Sequence, residues 1–231
     1  MPIPPSEESE ASAPARLVSI QVGTPRLLWR DVGLAQPLKR SWRSAFVKEP
    51  VAGEVYLGKT NLAGDRQADP RFHGGPDMAV LCYSADHYPD WRARLQIEGM
   101  GPGGFGENFT ISGQDELSVC IGDVYRVGEA RVQVSQPRGP CYKISYRWRR
   151  PDLLGMVEES GRHGWYLRVL DEGSVRAGLP VELLERPNPD WTVRRAHDVF
   201  RARKRERAVA LELAHVPGYA ADGTRMILSA R

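Results

Sequence analysis

Apolar and polar residues alternate over short stretches up to residue 186, a pattern that predicts β-strands separated by glycine-rich turns. Strands are expected where β-forming apolar residues recur, at residues 17–22, 51–57 and 79–83. The clearest case is a hairpin over residues 124–134, whose strands are joined by Gly128 and Glu129 in a turn typical of type II′. Alternation puts Val132 and Val134 on one face of its second strand. We therefore expect a mainly β, mixed α/β chain built on a β-barrel with peripheral helices.

Helical patterns are few before residue 186. Ser84 can cap a helix that runs toward Leu95, and Pro89 would break or restart that helix. Pro151 suits the first position of another helix, with Gly161 as its stop. These helices are expected to lie outside the barrel.

The pattern changes after residues 186–189, a proline-rich stretch interpreted as a linker. Beyond it, apolar residues recur at helical spacing and arginines fall on the opposite face. The apolar positions are Val193, Ala196 and Phe200, and the basic positions are Arg194, Arg201 and Arg205. Such a basic stripe is typical of a solvated helix face, and docking of an acidic partner or a polyanion is the alternative. The predicted units are a disordered tail at residues 1–15, a β-barrel domain at 16–186 and a small helical C-terminal region at 187–231.

Composition narrows the function classes. The 231 residues include 32 basic and 29 acidic ones, and the resulting net charge of +3 does not predict nucleic-acid binding. The first ten residues lack the basic and apolar segments of a signal peptide, and no apolar run reaches the roughly 18 residues of a membrane span. Three cysteines without a CxxC pair argue against a disulfide framework or a structural zinc site. These features predict a cytoplasmic protein that does not associate with a membrane.

The strongest candidate for chemistry is Cys141, which lies just beyond the second strand of the hairpin. Two prolines stiffen the backbone around it, and the nearby Arg138 and Lys143 favour a thiolate. Such a thiolate could be a nucleophile, a sulfur carrier or a soft metal ligand. A buried cysteine that packs as a small apolar side chain is an equal alternative. The other two cysteines, Cys82 and Cys120, lie in apolar runs and are expected in the core.

Three further segments crowd polar residues among glycines and prolines, at residues 46–51, 64–77 and 101–109. Each alone is typical of tight turns, because glycine readily adopts positive φ. Together with Cys141 they indicate the rim of one anion-binding cleft, since such loops offer backbone N–H groups to anions. His73 in the second segment could contact a phosphate or shuttle a proton, and a structural hydrogen bond to a loop carbonyl is equally expected.

Five motifs follow one another in these segments: KEPV at 48–51, GDRQAD at 64–69, HGGPD at 73–77, GFGEN at 104–108 and SQPRGPCYK at 135–143. This ordered series resembles the MOSC family over residues 15–186. It is most similar to the bacterial MOSC proteins that confer resistance to 6-hydroxylaminopurine. The helical tail is also similar to the C-terminal helical region of that group, although it is shorter here.

The resemblance implies a MOSC β-barrel that binds molybdenum cofactor, rather than pyridoxal phosphate. It implies that Cys141 is a molybdenum ligand and the catalytic residue, and a thiolate suits such a soft metal site. It also implies reduction of a small N-hydroxylated compound, with electrons supplied by a flavoprotein reductase. The implied cofactor-binding residues are the cations Lys48, Arg138 and Lys143, suited to a phosphate, together with His73 and Asn108, which could orient pterin or substrate.

One residue departs from the family pattern, and two alternative functions stay open. A basic residue often follows the HGGxD motif, whereas this chain has Met78, which removes one expected positive charge from the cleft. Cys141 could instead carry a persulfide and transfer sulfur to an acceptor, a role proposed for MOSC domains fused to sulfurases. A non-catalytic binding module could use the arginine stripe of the C-terminal helix.

Overall fold

The computed structural model describes residues 14–28, 42–70 and 73–230, so nearly all of the predicted N-terminal tail lies outside the described residues. The strands in these ranges are β1 Arg16–Val22, β2 Arg26–Leu28, β3 Trp42–Ser44, β4 Glu49–Pro50, β5 Glu54–Leu57, β6 Val80–Ser84, β7 Phe109–Ser112, β8 Val124–Val127, β9 Ala130–Pro137, β10 Trp165–Asp171, β11 Gly173–Arg176 and β12 Glu182–Glu185. The helices are α1 Tyr88–Leu95, α2 Lys143–Trp148, α3 Leu153–Ser160, α4 Val193–Ala202, α5 Arg207–Ala214 and α6 Ala221–Ser229.

Eight strands form one curled sheet in the order β12-β8-β9-β10-β6-β7-β1-β4, and β6 and β7 run parallel. Residues 177–181, which follow β11, link β1 near one edge of this sheet to β12 at the other edge. Leu17 N donates to Leu179 O at 2.9 Å and Gly178 N donates to Leu17 O at 2.7 Å, and the chain then continues into β12 at the opposite edge. The predicted mixed α/β chain on a barrel-like sheet with peripheral helices is confirmed.

The predicted hairpin is confirmed as β8 and β9, with Gly128 at φ 60° in the turn. Val132 and Val134 are fully buried, as the alternation predicts, because they face the core enclosed by the sheet. The strand predicted at 51–57 is wrong at its start. There, β5 begins only at Glu54, because Gly53 turns the chain with φ 80°.

The peripheral helices follow their sequence signals with one exception. Ser84 Oγ accepts from Asp86 N at 3.3 Å and caps a short 3-10 turn, after which the chain restarts as α1 with Pro89 in its first turn. Helix α3 ends at Gly161 as predicted, with φ 73°, but it begins at Leu153, so the prediction that Pro151 is its first residue is wrong. The exception is α2, which no sequence pattern predicted and which begins two residues after Cys141.

The C-terminal helices pack on the barrel and share its core. Val193, Ala196, Leu213 and Ile227 are fully buried in the same apolar cluster as the strands. The stretch interpreted as a linker is tied to the barrel, since Arg186 forms a 2.7 Å ion pair with Asp123. Three helices, α4 to α6, lie in the described part of the predicted helical region at residues 187–231.

The arginine stripe contacts acidic and carbonyl groups of the same chain. Arg194 bonds Asp198 at 2.8 Å, and Arg201 lies 3.4 Å from Glu158 of α3. The prediction that Arg205 shares this helix face is wrong, because α4 ends at Ala202. None of the helices in the described parts of the chain has the length and apolar character needed to cross a bilayer.

Candidate functional site

One cleft brings together every residue that the sequence predicted for the site. Its space of about 690 Å³ includes an open mouth and falls in the range of small-ligand sites. The predicted residues in its wall are Lys48, His73, Asn108, Arg138, Cys141 and Lys143. Met78 also lines the cleft, so the missing basic residue of the HGGxD motif would have stood here.

Cys141 occupies the turn between β9 and α2. The strand ends at Pro137, and Cys141 O accepts from Ile144 N at 3.1 Å as the helix starts. The thiol is partly exposed, whereas Cys82 and Cys120 are buried as predicted. A thiol in a cleft wall can meet a ligand, which a core thiol cannot.

Arg138 is a buried cation at the same turn, with only 3% of its surface exposed. Its backbone N donates to Gly164 O at 3.0 Å, and its Nη1 donates to His163 O at 3.4 Å. No carboxylate among the described residues forms an ion pair with it. Because a buried charge requires compensation, Arg138 gives the cleft a capacity to bind an anion.

His73 faces the basic side of the cleft. Burial lowers its pKa, the Lys143 ammonium and the Arg138 guanidinium lower it further, and Asp69 opposes them. The imidazole is therefore neutral at physiological pH and can donate one hydrogen bond and accept another. The next residue, Gly74, has φ 85°, and a Cβ there would lie 2.9 Å from Gln67 Oε1, so the loop requires glycine beside His73.

Lys48 is charge-balanced, in contrast to Arg138. Its Nζ forms an ion pair with Asp65, and the two side chains are 8% and 1% exposed. Asp65 also accepts from Gly23 N at 2.8 Å and from Gln67 Nε2 at 3.3 Å. Asp65 is a site residue that was not predicted. Its place in the GDRQAD motif was the available signal, but a motif does not show which cation a carboxylate will pair with.

Asn108 lines the cleft, but its amide is engaged with two strands. Its Oδ1 accepts from Leu81 N of β6 at 3.2 Å, and its Nδ2 donates to Gln21 O of β1 at 3.1 Å. The neutral hydrogen bonds expected for pterin or substrate are thus largely used to join these strands. Asn108 shapes the floor of the cleft through the backbone that it fixes.

The glycine-rich segment 101–107 folds around its own carboxylate. Glu107 is fully buried and accepts from Gly103 N at 2.7 Å and from Phe105 N at 3.0 Å. Thr110 Oγ1 donates to it at 3.0 Å. These N–H groups are therefore unavailable to an external anion, and the expectation that this loop offers them to a ligand is wrong.

Tyr166 is a cleft residue that the sequence analysis missed. It lies on β10 between Gln136 of β9 and Leu81 of β6. Burial raises the pKa of its phenol, with Arg138 opposing and Cys141 adding to the effect, so the hydroxyl stays a neutral donor. Strand alternation was the signal that could have found it, because its neighbours Trp165 and Leu167 point into the core.

Comparison with known proteins identifies the family. The MOSC domain model matches residues 69–182. Protein YiiM of Escherichia coli is 41% identical over 155 residues, which cover 66% of this chain and 69% of YiiM. The chain belongs to the MOSC family. The crystal structure of YiiM from Geobacillus stearothermophilus has a TM-score of 0.75 and 31% identity, covering 94% of this chain and 99% of that one.

A third relative of this MOSC protein is much longer. A protein of Gibberella moniliformis named "Reductase" is 38% identical over 177 residues, which are 75% of this chain but only 31% of that one. The MOSC domain match holds five of the six predicted site residues, and Lys48 lies before it. The likeness to the YiiM structure from Geobacillus stearothermophilus covers nearly the whole chain.

Proposed function

We propose that this MOSC protein binds molybdenum cofactor in its cleft and reduces small N-hydroxylated compounds. The observation that carries the proposal is the pairing of a cleft thiol, Cys141, with the buried Arg138, which has no carboxylate partner in the described parts of the chain. A thiolate and a phosphate-binding cation on one turn fit a phosphorylated ligand with a thiophilic metal.

The residues present fit this cofactor. Cys141 would ligate the metal, and Arg138 with Lys143 would bind the phosphate. Lys48 would help to position the cofactor without adding net charge to the cleft, because Asp65 neutralises its ammonium group. Neutral His73 and Tyr166 would donate hydrogen bonds to polar ligand atoms. When bound, the cofactor would supply the two-electron redox chemistry that side chains lack.

The proposed reaction consumes two electrons and two protons: R–NH–OH + 2 e⁻ + 2 H⁺ gives R–NH₂ + H₂O. The N–O bond breaks, and its oxygen leaves as water. We propose a flavoprotein reductase as the electron donor. The name of the longer fungal relative, a reductase, agrees with this class of reaction.

The test is to purify the protein from a host that makes molybdenum cofactor, and to measure bound molybdenum and reduction of 6-hydroxylaminopurine with a chemical electron donor. Cys141→Ala should lose activity by more than about 100-fold, since loss even of groups that support a metal ligand costs roughly 10–100-fold. Cys120→Ala is the matched control, because it removes a buried thiol outside the cleft.

A molybdenum-loaded protein without turnover, in which Cys141→Ala also changes nothing, would contradict the proposal. Mass spectrometry separates it from sulfur transfer. A sulfane sulfur on Cys141 after loading with a sulfur donor, together with absence of molybdenum, would favour the persulfide alternative.

A further inference from the structure

The loop that contacts Arg138 also contacts the C-terminal helices. Both hydrogen bonds of Arg138 described above end on this loop, at the carbonyls of His163 and Gly164. Gly164 is further fixed by its N–H, which donates to Glu116 Oε1 at 2.6 Å. The loop at residues 161–164, which connects α3 to β10, is therefore held in place by hydrogen bonds and in turn holds Arg138.

Helix α4 packs closely against the same loop. The imidazole rings of His163 and His197 stack with their centroids 3.7 Å apart and an interplanar angle of 30°. One turn earlier on the helix, Arg194 Nη1 donates to Ser160 O at 2.9 Å. A Cβ on Gly161 would lie 1.8 Å from that nitrogen, so the contact requires glycine.

The stacked histidines are buried without full hydrogen bonding. They are 1% and 6% exposed, and both ring nitrogens of His163 and Nδ1 of His197 have no hydrogen-bond partner among the described residues. The nearest acid is Asp198, whose Oδ1 lies 3.6 Å from that Nδ1, too far for a hydrogen bond. Since buried polar atoms normally have partners, the ring contact is the interaction that this pair makes instead.

We propose that the His163–His197 stack is a joint through which the C-terminal helices hold Arg138 in the cleft, so that anion binding there depends on α4. His197 is then a positioning residue, acting through His163 on Arg138. The inference rests on the proposed function only in taking the cleft ligand to carry a phosphate.

The joint requires both rings to be neutral. Burial, the neighbouring His197 ring and the facing Arg138, Arg194 and Arg201 together lower the pKa of His163 to about 2. Burial also lowers the pKa of His197, with Asp198 opposing and the α4 arginines adding to the effect. A proton on either ring would meet the other imidazole and these arginines, so both rings stay neutral and the joint stays closed in mild acid.

Sulfate is a suitable probe, because it resembles a phosphate ester and keeps its two negative charges on acidification. His197→Ala should weaken sulfate binding to the full-length protein about tenfold at neutral pH, as expected when one charge-assisted hydrogen bond is misplaced. His197→Phe keeps a flat ring and should retain the wild-type dissociation constant.

The pH dependence of sulfate binding tests whether the stack stays neutral. Lowering the pH to about 5.5 should not weaken sulfate binding by the wild type or by His197→Phe, because the pKa of His163 lies far below this pH and that of His197 is lowered as well. Protonation of His73 in the cleft would strengthen binding of an anion. A loss on acidification therefore cannot come from the cleft charges themselves and would contradict a neutral stack.

Two further variants serve as controls. Arg195→Ala, on the exposed side of α4, should bind sulfate like the wild type. Arg138→Ala gives the loss of sulfate binding expected when the cleft cation itself is removed. If Arg138→Ala loses sulfate but a folded His197→Ala does not, the joint is overturned and the proposed function stands. If Arg138→Ala binds like the wild type, the anion site itself is absent. Should His197→Ala not fold, His197→Leu takes its place as a variant that fills the space without a flat ring, and wild-type sulfate binding by that variant overturns the joint.

Discussion

Lys48 and Arg138, two buried cations at the cleft, differ in how their charge is compensated, because only Lys48 forms an ion pair with a described carboxylate. Asp65→Asn should leave the Lys48 ammonium without its counter-charge and lower the free energy of unfolding by about 3 kcal/mol, the typical cost of breaking a buried pair. Urea denaturation measures the loss. Glu49→Gln, which breaks the exposed pair with Arg26, is the control and should cost less than about 1 kcal/mol.

The Lys48–Asp65 pair allows a second test of this charge compensation. Adding Lys48→Met to Asp65→Asn should recover much of the loss, because an apolar side chain of similar length replaces an uncompensated charge. If the double variant is no more stable than Asp65→Asn alone, the damage lies in the Gly23 and Gln67 hydrogen bonds of Asp65 and not in the charge of Lys48.

Helix α2 shows at the scale of an element why part of the site was not predictable. It has only six residues, follows Pro140 and precedes Pro151, so no helical period can be read from it. It is stabilised by burial of Ile144 in a separate apolar cluster with Trp91 of α1 and Leu153 of α3, which is a tertiary interaction. Cys141 was predictable because prolines and cations next to it in sequence define its setting. The burial of Arg138 and the pairing of Asp65 were not, because both depend on distant segments.

The end of α2 also carries a stability prediction. Arg149 has φ 54°, a left-handed conformation that disfavours a Cβ, at the position where helices often have glycine. Arg149→Gly should raise the free energy of unfolding by about 1 kcal/mol, net of the entropy of glycine in the unfolded chain. The matched control is Arg94→Gly inside α1, which should lower stability by about 1 kcal/mol. Equal signs for the two variants in urea denaturation would contradict this account of the cap.

At the scale of the whole molecule, the barrel and the C-terminal helices form one core, so charge changes between them alter global stability. The buried interface contains the His163–His197 stack and apolar residues such as Val193 and Ala196. Its packing makes the helices part of the folded unit that carries the cleft. Acid should therefore weaken the whole fold and not only one surface contact.

The sign of this dependence follows from His163. Its pKa is about 2 in the folded protein against 6.5 ordinarily, so the unfolded chain takes up this proton first as the pH falls. The stabilisation is full above about pH 6.5 and is lost progressively below it, by about 2 kcal/mol at about pH 5. His163→Phe should remove this part of the pH dependence of unfolding by urea. His215→Gln, a change at an exposed histidine, should keep the wild-type dependence. Identical slopes for wild type and His163→Phe would show that the buried imidazole titrates with an ordinary pKa, which would contradict this account of the stack.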